Sequence, residues 1–281
     1  MHLRPDDTSV TGVGDAKKVN ARPLSALYFR DFRLFWIGQF ISFSGTWMHS
    51  TAQGWLVYSL TGSPLYLGLV AAASSLPILL LSLVGGVFAD RFRKRNLLLV
   101  TQALSIVPPL IVGLLTSAGL IEVWHIILLV VALGTVNAFD MPARQSFLIE
   151  MVEEGHLLNA VALNSAAFNG ARIIGPVMAG LAIAYIGMPA CFYLNALSFL
   201  PVIIALSFMK AKCEQKLRKG IMSDIREGMG FIRREPDMLR AVLLVATFSL
   251  FGMPFITLMP VFADRVLGVG VKGLGFLAGA A

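Results

Sequence analysis

Two polar stripes cross apolar stretches of this chain and hold most of the side chains able to do chemistry. Gln39, Ser42, Thr46, His49 and Gln53 recur at spacings of 3, 4, 3 and 4. On an α-helix that period puts all five on one face. Ser165, Asn169, Arg172 and Pro176 follow at 4, 3 and 4. Such stripes suit hydrogen bonding to a polar solute inside an apolar surrounding, and Trp47 and Trp55 lie beside that space or at a membrane interface. His49 is the one side chain deep in a complete apolar run whose unperturbed pKa lies near neutrality. It suits a substrate or proton contact, and a core histidine satisfied by its neighbours is the alternative. Arg172 stays protonated, so it fits an anion, an acidic partner or carbonyls near a helix break rather than proton transfer. Asp140 and Arg144, four residues apart, are spaced to pair across one helical turn at the inner mouth.

Enzyme chemistry finds no support. The apolar runs contain no H-E-x-x-H, no nucleophile–base pair and no cluster of carboxylates, so no catalytic residue and no metal site is expected. The two cysteines, Cys191 and Cys213, fall on opposite sides of the expected membrane and should not pair.

The elements that position these residues must be membrane spans. Of 281 residues 57% are hydrophobic and 14% charged, with a mean hydropathy of +0.76; a soluble domain needs more polar surface. A bilayer core of about 30 Å takes roughly 20 apolar residues per helix. Seven complete runs meet that length, at about 34–56, 65–89, 97–117, 124–141, 157–184, 190–209 and 241–262. An eighth starts near Gly273 and stops at Ala281, so the sequence is expected to be a fragment of a longer protein. With the N-terminus in the cytoplasm, 20 of the 23 Lys and Arg fall inside, two outside, and Arg172 within a span. This is the positive-inside pattern, and it disfavours nucleic acid as the partner of a chain with net charge +7. The polar residues 1–22 are expected to be a disordered cytoplasmic tail, 23–209 a six-helix half, 210–238 a cytoplasmic linker, and 239–281 the start of a second half. Six spans, a basic linker and further spans suggest a two-halved transporter built from three-plus-three inverted repeats. No repeat is legible by eye between 34–117 and 124–209.

Three segments carry a family resemblance. "GGVFADRFRKRN" follows the second run, and its Gly86, Asp90, Arg91, Lys94 and Arg95 resemble the loop-2–3 signature of the major facilitator superfamily. The family's second glycine is Arg93 here. Gly175-Pro176-x-x-Ala179-Gly180, with Ala171 four residues before Gly175, resembles the fifth-span motif of the family's exporters, with alanine at two glycine positions. The D-x-P-A-R-Q core, Asp140 to Gln145, looks like the branch containing enterobactin and macrolide exporters. The resemblance implies an all-α membrane fold and alternating access. It implies export of a siderophore- or drug-like small molecule by a monomer in the bacterial inner membrane. No cofactor is implied beyond an ion gradient, protons before other ions. The alternative on the same fold is an importer or a non-transporting scaffold. By resemblance Asp90 and Arg91 act as a conformational lock between halves, and the fifth-span motif packs on span eight. Independently of the family, Ala167, Ala171, Gly175 and Ala179 form one small-residue stripe that admits a close neighbour, and Pro176 bends the helix. The arginine that many proton-coupled members carry midway along span four is absent: Val130 precedes Gly134 there.

Overall fold

A computed structural model describes residues 24–209 and 254–281, with Leu239, Arg240, Leu243, Leu244 and Thr247 between them. The expected tail (1–22) and linker (210–238), and most of the run at 241–262, lie outside the described residues.

Helix α1 spans Arg30–Thr61 and ends on Gly62, whose φ of 62° is a left-handed conformation that glycine adopts without strain. Its 32 residues reach about 48 Å at ~1.5 Å per residue. Helix α2 (Pro64–Arg91) opens with proline at a position where no amide is needed, and α3 covers Lys94–Ser117. Helix α4 (Val123–Glu150) is capped reciprocally by Glu122 and His125. Helix α5 spans Leu157–Tyr185. The next span is one rod in two pieces, α6 (Met188–Ser198) and α7 (Leu200–Phe208), parted at Phe199 just before Pro201. Helix α8 (Pro254–Val261) runs into a π-helical turn, Phe262–Val266, and α9 covers Gly270–Ala280.

Helices α2, α3, α4, α5 and the α6–α7 rod are long and apolar enough to cross a membrane. Helix α1 is less apolar because its polar stripe points inward. Helix α2 is the most lipid-like: only 17% of its apolar window is buried, and Leu79 and Leu80 stand open on its outer face.

Helix α4 continues nine residues past the expected exit at 141. Pro142 and the polar residues after it read as a loop in sequence. Ala143, Phe147 and Leu148 are nevertheless buried against Phe32, Phe35 and Leu206, and this packing carries the helix through the proline. Arg144 therefore lies on the same helix as Asp140.

An internal two-fold relation emerges from the packing although none is legible in the residues. Helix α1 lies along α5 as α4 lies along α2; α1 meets the α6–α7 rod as α4 meets α3; and α3 meets α6. Exchanging the triplet α1–α3 with α4–α7 reproduces each pair, the arrangement of an inverted repeat. Close approach is met by different glycines in the two halves of the pattern. Gly134 faces the Ser74 carbonyl of α2, and Gly175 faces the Ser44 carbonyl of α1.

Along the bundle axis the interior forms three layers. Phe32, Phe35, Leu98, Phe147 and Leu206 fill one end, and Met48, Leu56, Val112, Ile126 and Phe192 the other. Between them lies a buried polar layer that includes Gln39, Ser42, His49, Thr101, Gln102, Asp140 and Asn195.

Candidate substrate cavity

The polar layer opens into a cavity of about 540 Å³. Helix α1 supplies Ser42, Thr46, Trp47 and His49, α4 supplies Asn137, Asp140 and Arg144, and α5 supplies Asn164, Ser165 and Asn169; Ser105 and Asn195 close the wall from α3 and α6. Edge-to-face rings form the apolar side. Phe168 meets Phe43 at 5.3 Å and Trp47 at 5.7 Å between centroids.

Asp140 is the only buried Asp, Glu, Lys or Arg among the described residues. Thr101 Oγ1 and Gln102 Nε2 donate to its Oδ1 at 2.7 and 2.9 Å, and Arg144 donates to Oδ2 as an ion pair. The pair expected from spacing is thus formed, and it gains two donors from α3 that sequence reasoning missed. The signal was present: Thr101, Gln102 and Ser105 are polar residues grouped in a run otherwise apolar up to Thr116. The Arg144 guanidinium also lies 5.1 Å from the Phe43 ring centre, while its Nε and the Gln102 Oε1 have no partner. A buried carboxylate with three donors is compensated, and both Asp140 and Arg144 border a space large enough for a solute.

The first stripe does not stay on one surface. Ser42, Thr46 and His49 line the main cavity, whereas Gln53 lines a second space of about 180 Å³ toward the Gly62 end of α1. His49 Nε2 donates to Gln53 Oε1 at 3.0 Å across the boundary, its ring packs on Phe192, and its Nδ1 has no partner. Gln39 lines neither space. It is buried with both polar side-chain atoms unpartnered, at the level where Gly38 lets the Pro201 carbonyl close on α1. A helix this long passes different neighbours along its length, so a shared face is not a shared site.

The second stripe divides in the same way. Ser165 and Asn169 line the main cavity, while Arg172 and Pro176 line the smaller space. Trp47 and Ser50 border both. Arg172 lies 5.8 Å from the Trp47 ring centre and 3.5 Å from the Ala281 carbonyl, and it has no acidic partner among the described residues.

The small-residue stripe of α5 finds its close neighbour in α1. Ala167, Ala171, Gly175 and Ala179 are buried, and at Gly175 the neighbour is α1: an added Cβ would lie 2.8 Å from the Ser44 carbonyl and 2.9 Å from the Met48 nitrogen. Contact with α9 comes instead from the adjoining face, through the Pro176 carbonyl against Gly275, Gly180 against Gly275, and the Ile173 carbonyl against Gly279. Helix α5 thus has close neighbours on two faces, which one stripe of spacing does not reveal.

At the opposite end of the bundle, Asp90 and Arg91 close α2, and Lys94 and Arg95 open α3. Lys94 pairs with Glu150, and Arg95 donates to the Leu206 and Ser207 carbonyls at 2.6 and 2.8 Å. These two cations tie helix ends together within the six-helix body. Asp90 is exposed and has no ion pair among the described residues, and no heavy atom lies within 4 Å of where a Gly86 Cβ would stand.

A bundle of membrane-length helices around a compensated polar cavity defines an integral membrane protein with an internal polar site. The chain belongs to the major facilitator superfamily, in the family described as transmembrane secretion effector, whose model matches residues 21–281. It is 30% identical over 224 residues to the MFS-type transporter YfiS of Bacillus subtilis, covering 76% of this chain and 51% of that one. It is 26% identical to the staphyloferrin A transporter of Staphylococcus aureus (83% and 59%) and 29% identical to the multidrug efflux pump Tap of Mycolicibacterium fortuitum (79% and 57%). A bacterial homologue of the human lysosomal transporter Spinster superposes with a TM-score of 0.73 at 14% identity, over 92% of this chain and 60% of that one. The chain therefore spans about half to three-fifths of the length of these relatives, which are transporters and not enzymes.

Proposed function

We propose that this protein exports a small molecule across the bacterial inner membrane by alternating access, driven by a proton gradient, with its N-terminus in the cytoplasm. The observation that carries the proposal is the cavity itself: amides, hydroxyls and aromatic faces grouped at mid-bundle around the Asp140–Arg144 pair. Amide and hydroxyl groups suit an oxygen- or nitrogen-rich solute, and the rings suit a planar apolar part. Asp140, the one buried carboxylate among the described residues, borders the cavity, so a solute that engages Arg144 frees Asp140 to take a proton, coupling the two occupancies. The relatives named for a siderophore and for drugs support the solute class, and the positive-inside placement of Lys and Arg supports the orientation. Asp90 and Arg91 are assigned the inner lock, engaged in the alternate state, and the bilayer and solute are the partners of a monomer.

The test is transport in reconstituted vesicles with an imposed pH gradient. Saturable, gradient-dependent efflux of a siderophore-like or drug-like solute is the expected result. Gradient-independent, non-saturating flux would mean a channel, and absence of flux for every solute tried would mean a scaffold. Gradient-driven flux in the reverse sense would mean an importer.

A further inference from the structure

The only two Lys or Arg assigned to the outer loops, Arg265 and Lys272, both reach back to the six-helix body at one rim. Arg265, on the π-helical turn after α8, donates through Nη2 to the Gly62 carbonyl at 2.8 Å, and its guanidinium lies 5.8 Å from the Tyr58 ring centre. Lys272, on α9, holds its Nζ 4.5 Å from the Tyr185 ring centre at the end of α5. The two contacts sit on different parts of the body, one on the α1–α2 corner and one on the α5 end. Beneath them Met259, Ala263 and Leu274 are buried beside Trp55, and Gly275 lies against the Pro176 carbonyl. At the other rim the Asp90 carboxylate has no ion pair among the described residues, and Lys94 and Arg95 are tied within the body.

We propose that Arg265 and Lys272 are gating residues of the transport cycle: a two-point cationic latch that holds the rim opposite the Asp90–Arg95 loop shut over the smaller cavity. This rests on the alternating-access reading. The geometry suits a reversible device. Gly62 offers its carbonyl outward because its left-handed backbone ends α1. Tyr185 is an exposed residue whose ring face meets the Lys272 ammonium. Neither partner carries a charge, so the latch releases without stranding a buried ion, as a rim that must reopen in every cycle requires. Each contact is exposed and individually weak, and together they bias the open–closed equilibrium rather than weld it.

The test is labelling of a cysteine at Thr51, which lines the smaller cavity, in the chain with Cys191 and Cys213 replaced by serine. A membrane-impermeant maleimide is applied from the face that carries Arg265, with no solute present. Arg265→Met with Lys272→Met should raise the labelling rate roughly three- to tenfold, the shift expected from losing two weak contacts. Arg265→Lys with Lys272→Arg should stay near the parent rate. Tyr185→Leu leaves both cations in place and lies on an exposed surface, so it should raise labelling with the fold intact. An unchanged rate in the folded double Met variant and in Tyr185→Leu would overturn the latch. An equal rise in the charge-conserving pair would overturn its cationic character. Because no solute is needed, a protein that carries nothing still reports on the latch, and failure of the transport reading is seen separately.

Discussion

At the residue scale the Asp140 network is where stability and the proposed transport role can be separated. Asp140→Asn leaves Arg144 charged beside the cavity without its carboxylate, and Arg144→Met leaves Asp140 buried with two neutral donors. Breaking one side of such a pair costs up to about 3 kcal/mol, less than for a fully enclosed pair because Arg144 borders open space. Asp140→Asn combined with Arg144→Gln should recover part of that loss, and denaturant titration in detergent measures both. Gradient-driven transport should stay low in all three variants if Asp140 exchanges the proton. Gln39 behaves in the opposite sense. Both its polar atoms are buried and unpartnered, so Gln39→Leu should stabilise by about 1 kcal/mol and leave transport unchanged. A transport defect with normal stability in that variant would return Gln39 to the cavity.

At the element scale two glycines of one chain have opposite tolerances. Gly175 sits where α5 and α1 touch backbone to backbone, and Gly175→Val should cost at least about 1–3 kcal/mol through overpacking, read as a lowered thermal midpoint. Gly86 has open space around its Cα, and Gly86→Ala should stabilise α2 by roughly 0.5–1 kcal/mol. The lock assignment adds a second readout at Gly86. If the other half closes tightly on it in the alternate state, Gly86→Ala slows transport while raising stability; transport that rises or holds steady with stability would remove Gly86 from the lock. The element that sequence placed least well was α4, since Pro142 and Arg144 resemble a loop until Phe147 and Ala143 are seen buried beneath it.

At the scale of the whole molecule, the proposed alternating access would make some side chains matter only in another state of the cycle. Asp90 is one: it is exposed here without an ion pair among the described residues. Asp90→Asn should leave the unfolding midpoint within about 0.5 kcal/mol of the parent. It should lower the transport rate roughly tenfold, as expected for losing one state-specific coupling. A rate equal to the parent's would remove Asp90 from the lock.

The sequence by itself determined that the chain is a bundle of membrane spans, which residues face inward, and that it resembles the major facilitator superfamily. Hydropathy and helical period are local properties, and the motifs are contiguous. Only the tertiary structure decided what each inward face meets. It divided both polar stripes between two cavities, stranded Gln39, and turned the small-residue stripe toward α1. It joined Thr101 and Gln102 to Asp140, and it exposed a two-fold relation that the residues do not repeat. The reason is that spacing along one helix fixes direction about its own axis, whereas a site needs the register and tilt of its neighbours, which arise from packing among residues far apart in the chain.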